Sequence, residues 1–158
     1  MVLLDLLRWL HVVGATALLG TGAGIAFFML MAHRSGDPRA IAHVAATVVT
    51  ADLLFTATAV VMQPVTGFSL AAIEGYPLTH GWILLSLGLY VLTGLFWLPV
   101  LWMQLRMRDL AREAVAGGWP LPSRYHHLFR LWLVSGVPAF AAVLAILWLM
   151  LTKPDLPF

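Results

Sequence analysis

The side chains placed to do chemistry in this 158-residue sequence are His11, His80, Asp52, Thr56 and Gln63. His11 is the lone ionisable group in the apolar stretch from Trp9 to Ala32. A titratable side chain in lipid is costly and therefore needs a role. An imidazole there can ligate haem or another metal, relay a proton, or sit at the interface hydrogen-bonded to backbone. Asp52 falls near the middle of a second apolar run, where an acid pairs, conducts protons or is held neutral. Its partners are expected among Thr50, Thr56, Thr58, Ser86, Tyr90 and Ser135. At about 100° per residue, Asp52, Thr56 and Gln63 lie within about 40° of one another, so one polar stripe should run from mid-membrane to one surface. His43 falls about 180° from Asp52 and leaves that stripe. His33, His43, His126 and His127 sit in or beside turns, where water and headgroups reach them. The adjacent pair His126 and His127 would point about 100° apart on a helix, a poor arrangement for one shared ion.

The elements that must hold these groups follow from composition. Apolar residues make up 61% of the chain and charged residues 10%, against about 25% charged in a soluble domain; mean hydropathy is +0.92. This is an integral membrane protein. Four apolar runs, at approximately 7–32, 42–63, 82–104 and 128–151, each approach the roughly 20 residues that a spanning helix needs. They predict an all-α, four-transmembrane-helix bundle forming a single integral membrane domain over residues 1–158. Met107 to Val115 reads as a helical extension of the third run. The first run exceeds a signal-peptide core and reads as a retained helix.

Arginines concentrate in the first and third connections, so the positive-inside rule puts both termini on the non-cytoplasmic side. His11, Gln63 and His80 then share an outer layer. Trp9, Trp82, Trp102 and Trp148 fall near the span ends as an aromatic belt. There is no cysteine, which excludes disulfides, thiolate metal sites and covalent haem attachment. No basic stripe interleaved with aromatics points to nucleic acid. The glycines from Gly20 to Gly24 lack the preceding strand of a dinucleotide site; Gly20 and Gly24 are instead a small-xxx-small pair suited to close helix packing. Pro99 and Pro138 should kink the third and fourth helices. The scattered methionines read as filler and give little support to copper transport.

Several local patterns carry a resemblance. Trp9-Leu-His11, Asp52 with Phe55 and Thr56 through Gln63, Pro64, Thr66 and Gly67, Trp97 with Pro99 and Gln104, and Gly136 with Pro138 through Lys153 and Pro154 resemble a family of small bacterial integral membrane proteins of unknown function. That resemblance implies the four-helix fold and a bacterial inner-membrane location. More distantly, the chain is similar to HemJ-type protoporphyrinogen oxidases and to CopD-like membrane domains. The HemJ likeness implies haem b bound by His11, at the position after Trp9, and a last helix marked by Val137-Pro138 and Lys153-Pro154. The charged positions of that family fall near Ala26 and Ser86 here, so the oxidase activity does not carry over. The expectation is a haem b site near the outer face, with His11 and His80 as iron ligands, serving membrane electron transfer or a redox complex. Imidazole ligation at both axial positions would leave no open iron position for oxygen chemistry. The alternatives are a cofactor-free accessory or assembly subunit, packing on itself or another membrane subunit, and a small proton-linked transporter that uses Asp52.

Overall fold

A computed structural model describes residues 2–157 as four long helices. They are α1 (Val2–Ser35), α2 (Pro38–Glu74), α3 (Gly81–Gly117) and α4 (Ser123–Thr152), each long and apolar enough to cross a membrane. All four outrun the apolar stretches seen in the sequence. Hydropathy marks only the lipid-immersed part of a helix, whereas backbone hydrogen bonding continues into the polar interface until a cap ends it. Asp37 caps α2 by accepting the Arg39 N–H at 2.9 Å, with Pro38 at the first helical position, an arrangement that satisfies one orphan donor and wastes none. Gly75 and Gly118, both with φ above 70°, end α2 and α3 in the left-handed conformation that glycine adopts without strain.

The largest correction lies at Pro64, which the sequence places at the start of a link. The helix instead runs through it to Glu74. Proline cannot donate to the carbonyl four residues back, which is that of Val60. The Tyr90 hydroxyl of α3 donates to the Val60 carbonyl, so the orphaned acceptor is satisfied from a neighbouring helix. This is the way a membrane helix tolerates an internal proline.

Within α2, Asp52–Thr56 forms one π-helical turn. Its signature is the Ala57 N–H donating to the Asp52 carbonyl, five residues back. A π turn amounts to one inserted residue, which rotates everything beyond it by about 100°. Below the turn α2 packs on α3 and α1; above it α2 packs mainly on α1, while α3 and α4 form the most extensive pair.

Most of the tightly packed core sits in the half of the bundle that carries the arginines. Met29, Ile41, Ala45, Met107, Ala111 and Tyr125 there have at most 1% exposure. A smaller cluster of Trp82, Ile83 and Leu149 closes the terminal end, where α1 begins and α4 ends. Large apolar side chains such as Leu95, Val134 and Trp148 are exposed, as lipid-facing residues must be. A Cβ added to Gly20 or Gly24 would meet nothing within 4 Å, so these glycines do not pack inside the chain.

Candidate functional site

Asp52 occupies the first position of the π turn and is 3% exposed. The indole of Trp97, on α3, donates from Nε1 to Asp52 Oδ1 at 3.2 Å. Two turns along the same face of α3, Gln104 is 1% exposed. Its amide is oriented by its neighbours: Nε2 donates to Asp52 Oδ2 at 3.1 Å and the carbonyl oxygen accepts from Trp132 Nε1, on α4, at 3.2 Å. An indole can only donate. The Trp132 N–H therefore fixes the direction of the Gln104 amide, and with it the demand that position 52 present an acceptor. One chain, Trp132 to Gln104 to Asp52, joins three helices, and Trp97 closes it on the other carboxylate oxygen. No basic group lies within ion-pair distance of Asp52 among the described residues. The Thr56 side chain lies against Asp52, and its buried hydroxyl oxygen has no partner at hydrogen-bonding geometry.

The sequence stripe from Asp52 to Gln63 does not survive as one face. Asp52 turns toward α3, with Thr56 against it, whereas Gln63 reaches α1 and donates from Nε2 to the His11 carbonyl at 2.7 Å. The π turn between them supplies the rotation. Of the partners expected for Asp52, only Thr56 is its neighbour; Thr50, Thr58 and Ser86 donate to carbonyls of their own helices, and Tyr90 serves Val60. Trp97 and Gln104 were legible as a pair seven residues apart on one helical face, the spacing of a polar stripe in an apolar helix.

His11 forms a second, smaller centre. Its Nδ1 lies 2.8 Å from Thr66 Oγ1 on α2. The single Thr66 proton points to the Met62 carbonyl at 2.8 Å, with that of Gln63 at 3.2 Å. Nδ1–H of His11 is accordingly the donor to Thr66, which leaves Nε2 as the ring acceptor. Gly67 lets the ring approach: a Cβ there would stand 3.3 Å from His11 Cε1. Gly14 makes room for Gln63, because a Cβ on it would collide with Gln63 Nε2.

His80 is exposed in the link before α3 and meets Tyr76 edge-on, with ring centroids 6.0 Å apart. It lines a depression of about 140 Å³ with Trp82 and Asp155. No hydrogen bond or ring contact joins it to His11 among the described residues. Beside it, Glu74 accepts from Arg8 Nη2 at 2.7 Å and lies 3.8 Å from Lys153 Nζ, which stands over the Tyr76 ring. This clasp ties the ends of α1, α2 and α4. At the opposite end His33 stacks on Phe129 with centroids 3.7 Å apart. No group of three or more His, Cys, Asp or Glu side chains able to hold a metal ion occurs among the described residues.

Residues 5–154 match the family model described as "Predicted integral membrane protein (DUF2269)". No curated protein and no solved structure matches the chain. The likeness to HemJ-type oxidases and CopD-like domains rests on the sequence patterns alone.

Proposed function

Since the chain belongs to that family of integral membrane proteins, we propose that it works in the bilayer as a small proton-linked carrier, with Asp52 as the acid that takes up and releases the proton. The observation that carries this reading is a buried carboxyl on a π turn, held at each oxygen by a neutral N–H donor and touching an unpaired hydroxyl oxygen. π turns inside α-helices occur frequently at functional sites. The carboxylate is served by Trp97 and Gln104; the protonated acid needs an acceptor for its O–H, and Thr56 Oγ1 is within reach. Both protonation states thus have partners without a change in helix packing.

Infrared spectra of the lipid-reconstituted protein across a pH series should contain a protonated-carboxyl band that grows as pH falls and is missing from Asp52→Asn. Proton entry into proteoliposomes, driven by a valinomycin-clamped potassium gradient, should be lost in the same variant. The absence of any titrating band assignable to Asp52 would overturn the reading. An accessory subunit without transport would show no proton entry.

A second reading is supported by the geometry of His11. An imidazole tied at Nδ1 to Thr66 presents Nε2 as its free acceptor, the arrangement common to metal-ligating histidines. Haem b on His11 would supply single-electron transfer, and His80 would be its other ligand. A reduced-minus-oxidised optical spectrum tests this: no Soret and α bands after expression with ample haem, or bands unchanged in His11→Ala, would remove His11 as the ligand.

A further inference from the structure

We infer that the arginine-rich end of the bundle carries a binding surface for anionic phospholipid headgroups, centred where the end of α1 meets the start of α4. Seven of the nine basic residues lie at this end, against the acids Asp37, Asp109 and Glu113. Asp37 is engaged in capping α2, and Asp109 pairs with Arg108 at 2.8 Å. Arg34, Arg39, Arg124 and Arg130 are exposed and have no carboxylate within ion-pair distance among the described residues.

Packing gathers part of this charge into one patch. The His33 ring stacks on Phe129 and lies 5.7 Å from the His126 ring, which pins the last turn of α1 to the first turns of α4. Arg34 follows His33 directly, and Arg130 stands one turn from His126 on the same face of α4. His126 and Arg130 therefore border one surface, and the pinned last turn of α1 brings exposed Arg34 to the same end of the bundle.

The adjoining surface is apolar. Met31 is 38% exposed and Leu131 45% exposed, each within a turn of an unpaired arginine. A cationic rim continuous with exposed apolar side chains fits an amphiphile, its phosphate on the arginines and its chains along the helices, better than a free anion. The depth also fits. Helices of 30–37 residues extend about 45–56 Å, enough to reach through the ~40–45 Å of a bilayer with its headgroups. On α3, Trp102 is exposed one turn before Arg106, and exposed indoles settle at headgroup level.

The test is a titration of the purified protein in neutral detergent micelles with phosphatidylglycerol or phosphatidylcholine, with retained lipid read by native mass spectrometry. The wild type should retain phosphatidylglycerol at least about tenfold better, and each arginine removed should weaken that preference about fivefold. Arg34→Gln with Arg130→Gln should lose most of it. Arg34→Lys with Arg130→Lys should keep it, as should Arg8→Gln with Lys153→Gln at the other end. Inorganic phosphate in excess should fail to displace the lipid. Equal retention of the two lipids by the wild type would overturn the inference whether or not the glutamine variants fold. An undiminished preference in the folded double glutamine variant, or displacement by phosphate, would overturn it equally.

Discussion

Asparagine at position 52 should destabilise the bundle through hydrogen-bond direction, and the loss should overlap with that of a second substitution. Asp52 receives N–H donors on both oxygens, from Trp97 and Gln104, and Gln104 receives one from Trp132. Asparagine keeps one acceptor and turns the other into an NH₂. If that NH₂ faces Gln104, the Gln104 amide must reverse, and its own NH₂ then meets the Trp132 N–H. If it faces Trp97, two donors meet there instead. One buried N–H stays unpaired in every orientation, a loss of about 1–3 kcal/mol. Interhelical hydrogen bonds in membranes reach about 1.7 kcal/mol at most by double-mutant cycles, so Asp52→Asn should cost about 1–2 kcal/mol. Trp132→Phe alone leaves the Gln104 carbonyl unpaired and should cost a similar amount. In the double variant the reversed Gln104 accepts from the new amide at position 52 and turns its NH₂ to a ring with no N–H, so one unpaired donor replaces the two separate losses of the singles. The double variant should therefore be more stable than the sum of the singles by about 1 kcal/mol. Reversible unfolding in mixed micelles of dodecyl maltoside and sodium dodecyl sulfate measures the cycle. Additivity within about 0.3 kcal/mol would refute the direction assigned to the chain.

Three other outcomes follow from the geometry. Deleting Leu53, an exposed residue of the π turn, should restore α-helical phase and rotate the rest of α2 by about 100°. The Gln63–His11 and His11–Thr66 bonds would then be lost together, at about 2–4 kcal/mol with their packing; an unchanged unfolding midpoint would show that the turn does not set this register. Gly14→Ala should displace Gln63 from the His11 carbonyl and cost about 1–2 kcal/mol, whereas Gly24→Ala, which meets nothing within 4 Å, should be neutral in the isolated protein by the same unfolding assay. Glu74→Gln should cost no more than about 1 kcal/mol, an effect that fades with added salt, because Arg8 and Lys153 are 54% and 42% exposed and such pairs are weak; a larger, salt-insensitive loss would mean that the clasp is a structural keystone.

Four helices, their order and the lipid-facing character of most of their surface were legible in the sequence, because transfer of apolar residues into a bilayer is a sum over local composition. The acid that needed explaining was legible too, since its desolvation cost depends on depth along the run. Its partners were legible only in part. Of the hydroxyls expected beside it, Thr56 is its neighbour, whereas Thr50, Thr58, Ser86 and Tyr90 each serve a backbone carbonyl. Small hydroxyls are readily satisfied within a helix, while Trp97, Gln104 and Trp132 have the reach to cross between helices.

Sequence by itself determined that an acid would lie deep in a four-helix bundle, with a histidine and a glutamine nearer the terminal end. Tertiary structure alone decided which of them meet. An ideal wheel placed Asp52, Thr56 and Gln63 on one face, but hydrogen bonding across five residues put a π turn between the first and the last. That turn is selected by contacts on two sides of α2, with α3 holding Asp52 and α1 holding Gln63. No local pattern encodes a phase shift that exists to satisfy two different neighbours at once.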